Sequence, residues 1–217
     1  YEILKQRVVA GAYSPGAQLK EEPIARELGI SRTPVRAALK RLVDDGLATA
    51  DPNRGVRVAE WTDLDIEETY ELRGLLESRA AELAARRGGA VLADRLDALN
   101  DQMERAIRSG AGGLAERLQE INASFHRAVL DASGSPRLRS ILTALIDMPI
   151  VLRSHFISTP QDKLQSLHHH RDLAAAIRAG DAELARQIMQ MHLRVAANRF
   201  RRQRGEFGAA KARGLRS

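Results

Sequence analysis

The chain has 217 residues, 44% hydrophobic but only 4% aromatic, with no cysteine and a formal net charge of +6. The missing cysteine excludes disulfides and thiolate metal sites and fits a reducing cytoplasm, and no apolar run is long enough to span a bilayer or read as a signal peptide. The charge itself argues little for nucleic acid, because residues 1–60 carry a net +2, residues 61–193 a net −3 and residues 194–217 a net +7, and charged ends are often simply solvated.

Ala, Leu and Arg are abundant, and their side chains lose little freedom in a helix. The chain begins at Tyr1 rather than Met, which leaves room for residues ahead of it. Ile3 to Val9 reads as a short helix, followed by a turn punctuated by Gly11, Pro15 and Gly16. A second helix spans Glu22 to Leu28, with Ile24, Ala25 and Leu28 apolar and Gly29 where a C-terminal cap is wanted. Ser31 to Arg36 opens a third, whose apolar face is Val35, Leu39 and Leu42 with Ala38 beside it, ended by Gly46. Ser31 or Thr33 can cap it, and Pro34 suits a first turn that needs no amide donor.

Two short helices joined by a Gly turn make a helix-turn-helix. The exposed face of the later helix offers Arg32, Thr33, Arg36 and Lys40. The start of a recognition helix is where side chains reach base edges, and Arg can pair with guanine O6 and N7. The hydroxyls of Ser31 and Thr33 and the helix N-terminus suit phosphate oxygens. Leu47 to Ala50 and Val56 to Ala59 then read as strands around Asp51 to Gly55, a wing with Arg54 and Gly55 at its tip, fitted to a minor groove. The alternative, a plain helical domain with surface arginines, leaves that wing without a purpose.

These residues resemble the winged helix-turn-helix of the GntR family of bacterial transcription regulators. The resemblance rests on Gly11 to Gly16 with Leu19, on Leu28 to Arg36, on Leu39 with Arg41-Leu42, and on Gly46-Leu47 and Arg54-Gly55-Val56. One departure is Ala37, where many members have Glu.

Glu60 to Thr62 reads as a linker, with Thr62 as a cap for a long helix from Asp63 to Arg87. Further helices are predicted over Val91 to Ser109, Leu114 to Ala132, Pro136 to about Arg153, Pro160 to Ala179 and Ala182 to about Arg202. Pro149 is expected to kink or end the fourth of these, and Asp181 to cap the last. No strand signal follows residue 60. The fold class is therefore mainly all-α. A winged helix-turn-helix with a small β-hairpin over residues 1–60 precedes an all-helical bundle over 61–203, and residues 204–217 form a flexible basic tail.

Asn122 and His126 lie four apart on one helix face, while His170 and His192 lie on two other predicted helices. Together they can form a closed N/O site for a divalent metal, and imidazole suits zinc, nickel, copper or iron. A lone helical His is more often a surface or hydrogen-bonded core residue; His155 and His168 fall in that class, and His169 stays open. Arg73, in the middle of the first bundle helix, can grip an effector carboxylate or pair with Glu77 four residues on.

Residues 63–200 resemble the FCD effector domain of the FadR-type branch of the same family. The matching residues are Leu72-Arg73, Leu76-Glu77, Asn122, Phe125-His126, Ser133-Gly134, His170, Gly180-Asp181 and His192-Leu193. The resemblance implies a divalent metal, zinc or nickel first, held at Asn122, His126, His170 and His192, and it favours Arg73 as an effector contact. Many members have Asp where this chain has Asn122. The amide removes one negative charge, so a bound metal keeps its full double charge and should favour an anionic effector.

The resulting expectation is a ligand-responsive transcription regulator rather than an enzyme, most often a repressor in this family. It would bind double-stranded palindromic operator DNA as a homodimer, answer to a small organic acid and have no membrane partner. Two alternatives are a metal-dependent hydrolase using the histidines and a non-specific nucleic-acid binder using the basic tail.

Overall fold

A computed structural model describes residues 1–52, 54–146 and 158–214. Pro149, with its expected kink, and Arg153 and His155 lie outside the described residues. The described residues group into two compact units, one up to Thr62 and one from Asp63 onward.

The first unit contains α1 (Glu2–Val9), α2 (Glu21–Leu28), α3 (Arg32–Asp44), β1 (Ala48–Asp51) and β2 (Gly55–Val58). Its core joins Leu4, Val8, Ile24, Val35, Leu39, Leu42, Ala48 and Val58, so each helix and strand contributes, and Leu19 and Leu47 add to it from the connecting segments. The turn between α2 and α3 depends on Gly29, whose φ of 66° lets the Ile30 amide donate back to the Ala25 carbonyl at 3.0 Å. Ser31 stands at the N-cap of α3 in extended conformation, yet its side chain makes no capping hydrogen bond, contrary to expectation. The strands pair antiparallel, with Ala48 opposite Val58 and Asp51 opposite Gly55. The chain ahead of α2 adds to the outer edge of β2, with Leu19 N–H donating to the Val56 carbonyl at 2.8 Å and Val58 N–H to that of Ala17 at 2.9 Å. The wing is thereby tied to the helices from both sides.

The second unit is helical throughout its described residues: α4 (Asp63–Arg87), α5 (Gly89–Ser109), α6 (Leu114–Ala132), α7 (Pro136–Ile146), α8 (Pro160–Arg178) and α9 (Ala182–Gly214). α4 packs on α9 and α6, while α5 packs on α8 and α6. Small side chains on α4 (Ala81, Ala84 and Ala85) let its neighbours approach closely around Phe125, Leu173, Ile177 and Leu193. α8 starts at a capping box in which Thr159 accepts from the Asp162 amide and the Asp162 carboxylate accepts from the Thr159 amide. Asp181 caps α9, its Oδ1 accepting from the Leu184 amide at 3.0 Å. The backbone of α9 continues to Gly214, beyond the expected end at about Arg202. Residues 209–213 are mostly alanine and basic residues, which are strong helix formers.

Candidate functional site

Two constellations carry chemistry, one in each unit. In the first, Ser31, Arg32, Thr33, Arg36 and Lys40 are all exposed along the start and one face of α3, and Arg54 and Gly55 are exposed on the wing. Val35, Ala38, Leu39 and Leu42 turn the opposite face into the core, so the helix cannot rotate to hide these groups. The wing tip is braced: Gln18 donates to the Arg54 carbonyl at 2.9 Å, and the Arg54 amide donates to Asp51 Oδ1 at 3.2 Å. Gly55 holds φ at 72°, a conformation that a side chain there would strain.

Glu21 was not singled out by sequence reasoning. It sits in the first turn of α2, and its carboxylate accepts from both arginines of the reading face. Arg36 approaches side-on, Nε to Oε1 at 2.8 Å and Nη2 to Oε2 at 2.9 Å. Arg32 places Nε and Nη2 on Oε2 at 3.4 and 3.3 Å. The hydrogen bonds from Arg36, then those from Arg32, hold the Glu21 carboxyl below the usual carboxylate range.

The second constellation is buried. His126 on α6, His170 on α8 and His192 on α9 bring one ring nitrogen each within 4.8 Å of one another. Their ring centroids are 4.8 to 5.5 Å apart, and Phe125 stacks on His170 at 3.9 Å. Asn122 is buried one turn before His126 on the same helix. Buried His126 Nε2 and His192 Nδ1 have no hydrogen-bond partner within the protein, a costly arrangement unless something else satisfies them. Burial, then the neighbouring His170 and His126, push the His192 imidazole well below its ordinary pKa, leaving a neutral ring with a lone pair. Three converging imidazoles, two of them with an unsatisfied nitrogen, fit a divalent transition metal.

α4 supports this cluster from behind. Glu77 Oε2 lies 2.5 Å from His126 Nδ1, and Glu77 Oε1 accepts from Arg73 Nε at 2.6 Å. Both Arg73 and Glu77 are about 3% exposed. Burial pushes the Glu77 carboxyl up, but the Arg73 charge and the hydrogen bonds from His126 and Arg73 overcome it and hold it well below the usual range. A carboxylate on Nδ1 fixes the proton there and turns the Nε2 lone pair toward the cluster. Arg73 is thus paired with Glu77, one of the two roles open to it from sequence, and its guanidinium carbon lies 5.3 Å from the centre of the Tyr70 ring. His168 is exposed. His169 is buried, its Nδ1 has no partner, and its ring centroid is 5.7 Å from that of His192. No helix among the described residues is long and apolar enough to cross a membrane.

Comparison with known proteins assigns both units. Residues 1–58 match the family described as bacterial regulatory proteins, gntR family, and residues 68–195 match the FCD domain. The chain is 38% identical over 104 residues to an HTH-type transcriptional regulator of Agrobacterium vitis from the TAR-I ttuE-ttuC' intergenic region. That match covers 48% of this chain and 61% of the relative, and matches to two other regulators cover only 37% and 42% of theirs. It is 26% identical to the HTH-type transcriptional repressor GlaR of Escherichia coli over 209 residues, 89% of this chain and 90% of that one. Among solved structures, E. coli McbR/YncC superposes with a TM-score of 0.71 at 26% identity, covering 93% of this chain and 95% of the other.

Proposed function

This chain belongs to the GntR family of bacterial transcription regulators, in the branch that carries an FCD domain, and from that premise we propose a metal-dependent, acid-sensing repressor. The DNA-binding unit reads a palindromic operator as one half of a homodimer, using Arg32 and Arg36 on bases, Ser31, Thr33 and Lys40 on or near phosphates, and Arg54 with Gly55 in the minor groove. The repressor sense is supported by the likeness to GlaR. Dimerisation is supported by the exposed Leu64, Leu72 and Leu75 on α4, apolar side chains that a second copy can cover.

The observation that carries the sensing half is the convergence of His126, His170 and His192. A zinc or nickel ion held by these rings and Asn122 would supply a Lewis-acidic point of attachment for a ligand oxygen. Arg73 and Glu77 neutralise each other, and all the metal-facing side chains are uncharged, so the metal's double charge is left for the ligand to balance. A small carboxylate does so and a neutral sugar does not. Glu77 is committed to Arg73 and His126, so it does not serve as a free general base. Such a ligand alters DNA binding only through different affinities for the DNA-competent and incompetent states.

The test is calorimetric titration of small carboxylates and neutral sugars into zinc-loaded protein, alongside elemental analysis of wild type and His126→Ala. The proposal expects about one metal per chain in wild type, loss of it in the variant, and binding of carboxylates only. Equal binding of neutral sugars refutes the charge argument, and equal metal content in the variant refutes the site.

A further inference from the structure

We propose that Glu21 is a specificity-determining positioning residue: it clamps Arg32 and Arg36 so that they address base edges rather than roam to phosphates. The proposal rests on the reading of α3 as the DNA-contacting helix. A guanidinium carries five N–H donors in a planar fork. Glu21 occupies the Nε side of Arg36, with contacts of 2.8 and 2.9 Å, which leaves the far Nη1 and Nη2 hydrogens pointing outward. That free end is the pair of donors that fits guanine O6 and N7. Arg32 is held by the same carboxylate through the same two nitrogens, so one acid orients both readers.

Exposure supports the direction of the effect. The side chains of Arg32 and Arg36 are 61% and 67% exposed, against 24% for Glu21, so the acid lies beneath the arginines and braces them from the protein side. Exposed long side chains ordinarily sample many rotamers, and an unbraced arginine neutralises whichever phosphate it meets. The Glu21 charge also opposes phosphate approach at the same spot. Both effects penalise non-specific DNA more than a site whose bases meet the arranged forks.

The experiment compares full-length wild type, E21Q and E22Q on a duplex selected from random DNA by the wild-type protein and on a scrambled duplex of equal length. Glu22 is a matched control. It lies in the same first turn of α2 and pairs with Arg26 at 3.0 Å, so E22Q makes the same charge change without touching the readers. The expected result is a selected-to-scrambled affinity ratio at least tenfold lower for E21Q, mainly through tighter binding to scrambled DNA, with the E22Q ratio near wild type. Base preference should blur at the positions nearest Arg32 and Arg36. An unchanged ratio in E21Q, an equal fall in E22Q, or a collapsed unfolding midpoint for E21Q would each overturn the positioning role. A wild-type protein with no preference for any duplex would instead sink the DNA-reading proposal, and this one with it.

Discussion

Replacing Glu77 by Gln tests the buried polar hub most directly. The change keeps the shape of the side chain and removes one charge between two buried donors, Arg73 Nε at 2.6 Å and His126 Nδ1 at 2.5 Å. The glutamine oxygen can accept from Arg73 Nε, while its NH2 group faces His126 Nδ1, which keeps a hydrogen bond only if the ring moves its proton to Nε2. Arg73, 3% exposed, is left as a buried cation without a counter-charge. Breaking a buried ion pair from one side costs about 3–5 kcal/mol. Urea unfolding in the presence of a chelator, which removes any linkage to metal, should show that loss as a lower midpoint at unchanged slope. The double variant R73M/E77L removes both charges and leaves only the His126 donor unpaired, so it should cost less, about 1–3 kcal/mol. The Glu77 carboxyl is lowered from 4.5 to about 2 in the folded chain, where the Arg73 charge and the hydrogen bonds from His126 and Arg73 outweigh the upward push of burial. A depressed folded pKa contributes stability that is complete above the unfolded value and fades as pH falls toward the folded one. The gap between wild type and E77Q should therefore be full at neutral pH and close between about pH 4.5 and 2. A cost below about 1 kcal/mol for E77Q, or a double variant less stable than the single, would refute the reasoning.

The same E77Q protein should bind zinc about 10–100-fold more weakly in competition with a chromophoric chelator, because His126 loses the partner that orients it. Arg32→Ala and Arg36→Ala should each cost about 1–3 kcal/mol of discrimination between the selected duplex and single-base variants, measured by fluorescence anisotropy; uniform weakening across all sequences would make them phosphate contacts instead. Asn122→Asp adds the missing negative charge, so zinc affinity should rise and the preference for carboxylates over neutral sugars should shrink, both readable by calorimetry. Gly29→Ala should cost about 1–2 kcal/mol by thermal unfolding, all of it conformational, since a Cβ there meets nothing within 4 Å.

What could be seen in the sequence divides along one physical line. Features set by residues within one or two turns of each other were legible: the Gly29 cap, the apolar face of α3, the Asp181 cap and the Asn122–His126 pair on one helix face. Features set by tertiary approach were not. Glu21 reaches Arg32 and Arg36 from 11 and 15 residues away across a turn, and no periodicity marks it. Glu77 and His126 are 49 residues apart, so sequence offered Glu77 only as a local partner for Arg73. His169 and His170 show a subtler limit. Adjacent helical residues point about 100° apart, which normally separates a core position from a surface one. α8 packs against both α5 and α9, so its apolar arc is wide enough to bury both rings. Convergence on His126 and His192 is what sets His170 apart, and convergence is a property of three helices at once. Glu21, which no sequence pattern marks, and Glu77, which the sequence offers only as a partner for Arg73, do the same job at the two sites. Glu21 arranges the arginines of one, and Glu77 arranges the histidine of the other. Each is a carboxylate behind the working groups, which explains why neither resembles a functional residue when the chain is read one element at a time.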